Sequence, residues 1–250
     1  MNLNDEFNGN ERIDDLHIPG FKIIQSPDVF CFGTDAVLLA HFAKATAYER
    51  VCDLCSGNGI IPILMCDGRQ LVGHITGVEI QERLYDMAVR SVTLCGLQDV
   101  ITMVNHDICD VKSIFKAASF DIVTVNPPYR KSNDGEVSPH DAKSIARHEL
   151  KLTLEDVIKA GAFLLGPKGR FCMVHRPERL TDIIDMCRKY KLEPKTLRMV
   201  HPKLEMSANL MLIECKKDAN SGIKVLPPLF IRDEKGNTPL EVDVIYGKNK

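Results

Sequence analysis

Apolar and polar residues follow one another in blocks along this chain, and the blocks read in turn as strands and helices. Arg50–Leu54, His74–Ile80, Val100–Asn105 and Phe120–Val125 are short apolar runs with the length and β-branched content of buried strands. A glycine-containing turn and a short helix to Cys66 separate the first two. Gln81–Cys95 carries Leu84, Met87, Ala88 and Val92 at helical spacing and is closed by Gly96. Upstream, Thr34–Ala47 is apolar and rich in helix formers, with Thr34 placed to cap it. Downstream, a helix over Leu152–Leu165 ends at Gly166-Pro167. It is followed by a strand, Gly169–His175, and a helix, Leu180–Tyr190. Leu192–His201 and Ala208–Cys215 complete the pattern as two final strands. Strands separated by helices predict βαβ units, hence an α/β fold with a doubly wound, mainly parallel sheet.

Three stretches fall outside this rhythm. Residues 1–20 are polar and read as a flexible N-terminus as far as Ile18-Pro19-Gly20. Residues 130–149 form a polar excursion. Residues 217–250 form an extension expected to pack back on the domain over 21–216 through Val225, Leu226, Leu229, Phe230 and Ile231.

The composition, 44% hydrophobic and 26% charged over 250 residues, is that of an ordinary globular protein. No apolar run approaches the ~20 residues of a membrane span. The first residues lack the basic and apolar regions of a signal peptide, so a cytoplasmic location is expected. Nine cysteines, an odd number among apolar neighbours, suit buried thiols in a reducing compartment. Cys52 and Cys55 are spaced as a C-x-x-C pair, yet they lie inside a glycine turn and read as thiols too. His and Cys do not cluster at zinc spacings, so no metal is expected. A net charge of −2 argues against a general nucleic-acid binder. Locally, however, Lys168 to Lys203 holds ten Lys or Arg against four acids. That run reads either as a solvated face or as a phosphate-tracking patch.

The most informative residues are Asn126-Pro127-Pro128-Tyr129, directly after the fourth strand. Two prolines stop the ladder and stiffen the backbone, leaving a shelf at the carboxyl end of the sheet, where open α/β folds bind ligands. The shelf carries an amide oxygen on Asn126, a backbone carbonyl on Pro127 and an aromatic plane on Tyr129. Two oxygens can accept both N–H groups of a planar NH2 while the ring stacks on its face, a set that suits a nucleobase.

Asp53-Leu-Cys-Ser-Gly57-Asn-Gly59 ends the first strand and opens a helix. Glycines at 57 and 59 permit a sharp turn and a close approach to a ligand. Pro62 occupies the place of the third glycine of a dinucleotide fingerprint, which disfavours a pyrophosphate. Glu79 ends the second strand, where an acid suits ribose hydroxyls, and Asn105-His106-Asp107 ends the third, where an adenine amino group could be read. Three acids at successive strand ends with no phosphate cradle point to S-adenosylmethionine. Asp53 is placed to pair with its amino group.

Taken in order, these motifs resemble class I S-adenosylmethionine-dependent methyltransferases of the amino-methylating Asn-Pro-Pro-Tyr branch. Within that branch the chain is similar to the bacterial adenine-N6 methyltransferases that modify an adenosine beside the anticodon of a valine tRNA. The likeness runs from Phe30–Ala40 through Val51–Gly59, Gly77–Ile80 and Asn126–Tyr129 to Pro227–Val242. The resemblance implies a seven-stranded sheet with one antiparallel strand, supplied by the last strand near 208–215. It also implies that Asp53, Gly57 and Gly59 border the methionine part of the cofactor, that Glu79 binds the ribose and Asp107 the adenine, and that Gly33 and Thr34 close over the ligand. Asn126, Pro127 and Tyr129 would hold the target amine of a tRNA adenosine. A monomer that binds tRNA, without metal or membrane, is expected. Methylation of a protein glutamine amide or of an rRNA guanine N2 amine uses similar chemistry and stays open, as does a cofactor-binding RNA protein without turnover.

Overall fold

The computed structural model describes residues 9–29, 31–67, 73–128 and 152–247; Phe30, Tyr129 and the excursion 130–149 lie outside the described residues. A hairpin, β1 (Arg12–Asp15) and β2 (Lys22–Gln25), precedes α1 (Thr34–Ala43). Then come β3 (Arg50–Leu54), α2 (Ile60–Met65), β4 (His74–Glu79), α3 (Glu82–Leu94) and β5 (Ile101–Asn105). A 3-10 turn over Ile108–Ser113 leads to β6 (Phe120–Val125). The second half runs through α4 (Leu154–Leu164), β7 (Leu165–His175), α5 (Leu180–Lys189), β8 (Leu192–His201) and β9 (Leu210–Lys217). β10 (Lys224–Val225), β11 (Leu229–Phe230) and α6 (Leu240–Ile245) form the tail.

The strands join in the order β10-β8-β9-β7-β6-β3-β4-β5, with β11 also on β8. Beside the separate antiparallel β1–β2 hairpin, the described strands of this sheet pair in parallel from β7 through β6, β3 and β4 to β5 and antiparallel where β9 meets β7 and β8. The fold is therefore the doubly wound, mainly parallel sheet expected, with its antiparallel strand β9 where the family resemblance implied it. Successive strand residues serve opposite layers, as a pleated sheet buried on both faces requires. Val51 and Ile122 face the α1, α2, α3 and α6 layer, whereas Cys52, Val123 and Val125 face α4 and α5.

Four local expectations are corrected. Residues 12–15, read as loose, form a strand, because Arg90 of α3 pairs with Glu11 at 2.9 Å and the Ser91 hydroxyl accepts the Ile24 N–H at 3.0 Å. These partners lie over sixty residues away, so no local pattern announces them. α1 stops at Ala43, where Lys44 turns to φ +37°, and its cap is Gly33 rather than Thr34. β7 starts directly from α4 at Leu165, ahead of Gly166-Pro167, with a register slip between Phe120 and Ile122 absorbing the irregularity. Among the described residues the sheet has nine strands, not seven: the tail adds β10 and β11, two residues each, parallel to β8.

Candidate active site

Parallel pairing brings the ends of β3, β4, β5, β6 and β7 to one edge, and the registers place Asp53 beside Gly77 and Thr124, and Glu79 beside Asn105. From β3 the chain enters the glycine loop. Cys55, Gly57 and Gly59 all have positive φ, of 56°, 57° and 82°. Gly59 caps α2 in the left-handed region, and a Cβ there would sit 3.2 Å from that of Ala88 on α3. The position requires glycine for backbone shape and helix approach together. Gly59→Ala is expected to cost about 1–2 kcal/mol, read as a lower Tm, and to weaken cofactor binding in the same titrated sample.

Asp53 is fully buried, and both carboxylate oxygens accept hydroxyls: Ser56 Oγ at 2.7 Å and Thr124 Oγ1 at 2.6 Å. Burial lifts its pKa to about 7 against those two hydrogen bonds, and the Glu79 charge adds to the rise. Glu79, 4% exposed, accepts the Gly57 N–H and the Gln81 N–H, both at 2.8 Å. It thereby stitches the glycine loop to the end of β4. Two buried carboxylates ringed by hydroxyls and backbone N–H groups suit a ligand that brings hydroxyl donors and positive charge, and S-adenosylmethionine brings both. Thr124 and Ser56 escaped the sequence reading; the signal for Thr124 is its register opposite Asp53, which only strand pairing supplies.

The third strand end behaves differently. Asn105 donates to the carbonyls of Glu79 at 2.8 Å and Ile80 at 3.1 Å, bracing the edge. His106 Nε2 lies 3.0 Å from Ser113 Oγ. Asp107, exposed, accepts the Cys109 N–H at 2.8 Å and caps the 3-10 turn. Of these three, only Asp107 turns a carboxylate to solvent at this edge. Thr34 Oγ1 accepts the Tyr246 hydroxyl at 3.0 Å, so the start of α1 is held by the C-terminal helix, with Gly33 exposed beside it.

The Asn126 shelf leaves the same edge. Asn126 and Pro128 are half-buried and Pro127 is buried, while Tyr129 is outside the described residues. Thr124 links the two halves, since it bonds Asp53 and lies two residues before Asn126 on β6. Beside the shelf is a polar hollow of about 30 Å3 between Pro127, Pro128, the first turn of α4, His175 and Arg179.

Residues 20–182 match the profile of the methyltransferase small domain family. The chain belongs to that family. It is a methyltransferase, with S-adenosylmethionine as the methyl donor that suits the carboxylates just described. It is 30% identical over 199 residues to the tRNA1(Val) (adenine(37)-N6)-methyltransferase of Porphyromonas gingivalis strain ATCC 33277, covering 75% of this chain and 77% of the relative. A Bacteroides thetaiotaomicron protein of the same description is 32% identical over 142 residues, 57% of this chain and 58% of that one. Among solved structures, a predicted O-methyltransferase from Agrobacterium tumefaciens superposes with a TM-score of 0.68 at 21% identity, over 86% of this chain and 96% of the other. TrmN from Thermus thermophilus gives 0.52 at 17% identity, over 73% and 48%. These superpositions bear on the fold alone. Among the described residues, no helix is long and apolar enough to cross a membrane.

The basic run of this methyltransferase does not form one patch. Arg170, Arg188, Lys189 and Arg198 pair with Glu49 and Glu214, Glu193, Glu155 and Glu241. Arg179 pairs with Asp182 at 2.7 Å and, with Arg176 and Lys203, follows the carboxyl ends of β7 and β8, on the side of the shelf.

Proposed function

We propose that this methyltransferase acts in the cytoplasm on the N6 amino group of an adenosine in tRNA, the anticodon-loop adenosine of a valine tRNA. The observation that carries the reading is the Asn126-Pro127-Pro128 shelf, set beside Asp53 and Glu79 on one sheet edge. The description of the Porphyromonas relative, which covers three quarters of this chain, supports the substrate.

Glu79 would hold the ribose hydroxyls, Asp53 the amino group, Asp107 the adenine edge, and Gly57 and Gly59 the close approach of the backbone. When bound, S-adenosylmethionine supplies an electrophilic methyl group on a sulfonium. The exocyclic amine of adenine is a poor nucleophile, because its lone pair is delocalised into the ring. Asn126 Oδ1 and the Pro127 carbonyl would accept both N–H bonds and favour a tetrahedral nitrogen whose lone pair is available. Tyr129 would stack on the extruded base, worth ~1–3 kcal/mol. Neutral Asn126 suffices, since the methylated nitrogen readily loses its proton. Holding the amine in line is the larger part of the catalysis.

The test is transfer of labelled methyl to tRNA lacking the modification, with nucleoside analysis. N6-methyladenosine at one anticodon-loop position is expected. Label in guanosine or in a protein glutamine would refute the adenine assignment and keep amine methylation. Tight cofactor binding with no transfer to any substrate would refute catalysis.

A further inference from the structure

We propose that Asn58 is a positioning residue whose side-chain amide ties the glycine loop to the N-terminal hairpin, so that the two are set together around S-adenosylmethionine. The inference rests on the reading that the cofactor lies against Gly57 and Gly59, and it is independent of which substrate is methylated.

Among the described residues β2 pairs with β1 alone, so its other edge presents backbone groups that need partners from outside the hairpin. At Ile24 side chains meet both needs. The Ile24 N–H donates to Ser91 Oγ of α3 at 3.0 Å, and the Ile24 carbonyl accepts from Asn58 Nδ2 at 3.0 Å. The Ile24 side chain is buried with Leu84 and Met87 of α3. One residue of the hairpin is thereby held by α3 and by the glycine loop at once.

From Ile24 the chain runs on to the start of α1. Buried Gln25 accepts the Phe32 N–H at 3.0 Å, and buried Ser26 accepts from Arg83 Nη2 at 3.0 Å. Gly33 follows directly as the cap of α1. On the other side, Asn58 stands between Gly57, whose N–H donates to Glu79, and Gly59, which caps α2. A shift of the hairpin against the loop would therefore move residues 33–34 against residues 57–59, the two segments read as bordering the cofactor.

Asn58 is fully buried, and its Oδ1 is the one buried side-chain oxygen or nitrogen without a hydrogen bond among the described residues. Turning the amide over would set that oxygen against the Ile24 carbonyl, so the Nδ2 donor fixes the orientation. An unsatisfied buried carbonyl is a cost to folding, and an apolar side chain of similar shape would avoid it. What the amide supplies instead is a donor that reaches Ile24 across 34 residues of sequence. If this tie raises affinity for the cofactor, the cofactor must tighten the docking of the hairpin by the same factor.

The test uses the full chain, calorimetric titration with S-adenosylmethionine, and amide hydrogen exchange with and without it. Asn58→Leu removes the donor and the orphan oxygen together. It is expected to bind the cofactor roughly tenfold more weakly, the scale of one lost hydrogen bond, with a ligand-free Tm close to its parent's as proof of folding. Asn58→Ser, too short to reach Ile24, should behave alike and takes its place if leucine does not fold. Ser91→Ala releases Ile24 from the other side, about 13 Å along α3 from Glu82. It should weaken cofactor binding too, and the double variant should lose less than the product of the two. Saturating cofactor should slow exchange of the Ile24 amide several-fold in the unaltered protein and hardly in Asn58→Leu, while protecting the amides of 55–59 in both. Affinity within twofold of the parent in the Asn58 variant, unchanged affinity in Ser91→Ala, or equal protection of Ile24 in both proteins overturns the coupling while the cofactor site stands. No protection of 55–59 in the unaltered protein overturns the cofactor site and the coupling together.

Discussion

Asn126→Ala is expected to lower methyl transfer by at least a hundred- to a thousandfold while leaving affinity for S-adenosylmethionine within a few-fold. Removing one preorganised hydrogen-bonding group from a reacting centre has costs of about that size. Here it also frees the target amine to rotate out of line. The shelf itself should survive. The residue before a proline is confined to extended backbone, a region alanine adopts as readily as asparagine. Buried Pro127 and the β6–β7 ladder hold the chain on either side. Thr124 keeps its bond to Asp53, so the cofactor side is untouched. Single-turnover rates at saturating RNA, with calorimetric cofactor titration, check both halves. A variant that transfers methyl at more than a tenth of the normal rate would show that the amine is held elsewhere.

Asp53 carries the second large effect, and its sign follows from its surroundings. Its pKa rises from 3.8 unfolded to about 7 folded, chiefly through burial. The folded chain therefore holds this proton more tightly than the unfolded one. The resulting stabilisation is full below about pH 3.8 and declines as pH climbs to about 7. Above that the buried charge is a standing cost of order 4 kcal/mol, from the rise between 3.8 and about 7 at roughly 1.4 kcal/mol per unit. Asp53→Asn keeps the shape and removes the charge, so at pH 8 the ligand-free protein should melt several degrees higher than its parent. The same change should weaken S-adenosylmethionine binding roughly 10–100-fold, by deleting the partner of a cationic group. In the unaltered protein, affinity should fall as pH drops from 8 to 6, by up to tenfold per unit below about 7. Melting curves and titrations at three pH values decide it. A pH-independent affinity, or a less stable Asp53→Asn at pH 8, would remove Asp53 from the role of charge partner.

Legibility followed the range of the forces involved. The strands around Asp53, Glu79 and Asn126 were readable, because a central parallel strand is buried on both faces and must be apolar along its length. The prolines after Val125 and the glycines at 57 and 59 were readable because each marks a backbone constraint that few residues satisfy. The strand at Arg12–Asp15 was not readable: three of its four residues are polar, and the hairpin it forms with β2 is held against α3. The meaning of Asn105 was missed for a related reason. An amide after a strand looks the same whether it faces a ligand or braces the neighbouring carbonyls, as this one does. The basic run from Lys168 to Lys203 looked like one feature and is two. Basic residues of the run leave opposite ends of β7, and four of them are paired with acids, Glu193 from within the run and Glu49, Glu214, Glu155 and Glu241 from other elements.

By itself, the sequence determined the doubly wound sheet, the glycine loop, the acids at the strand ends and the stiff shelf, since each is a local constraint on backbone or burial. Tertiary structure alone decided which polar groups meet. It set Thr124 against Asp53, tied Glu79 to the Gly57 N–H, bound Tyr246 to Thr34 and brought His175 and Arg179 beside Pro127. Such contacts depend on strand register and on the return of the tail across the sheet, and both are settled by the whole core packing at once.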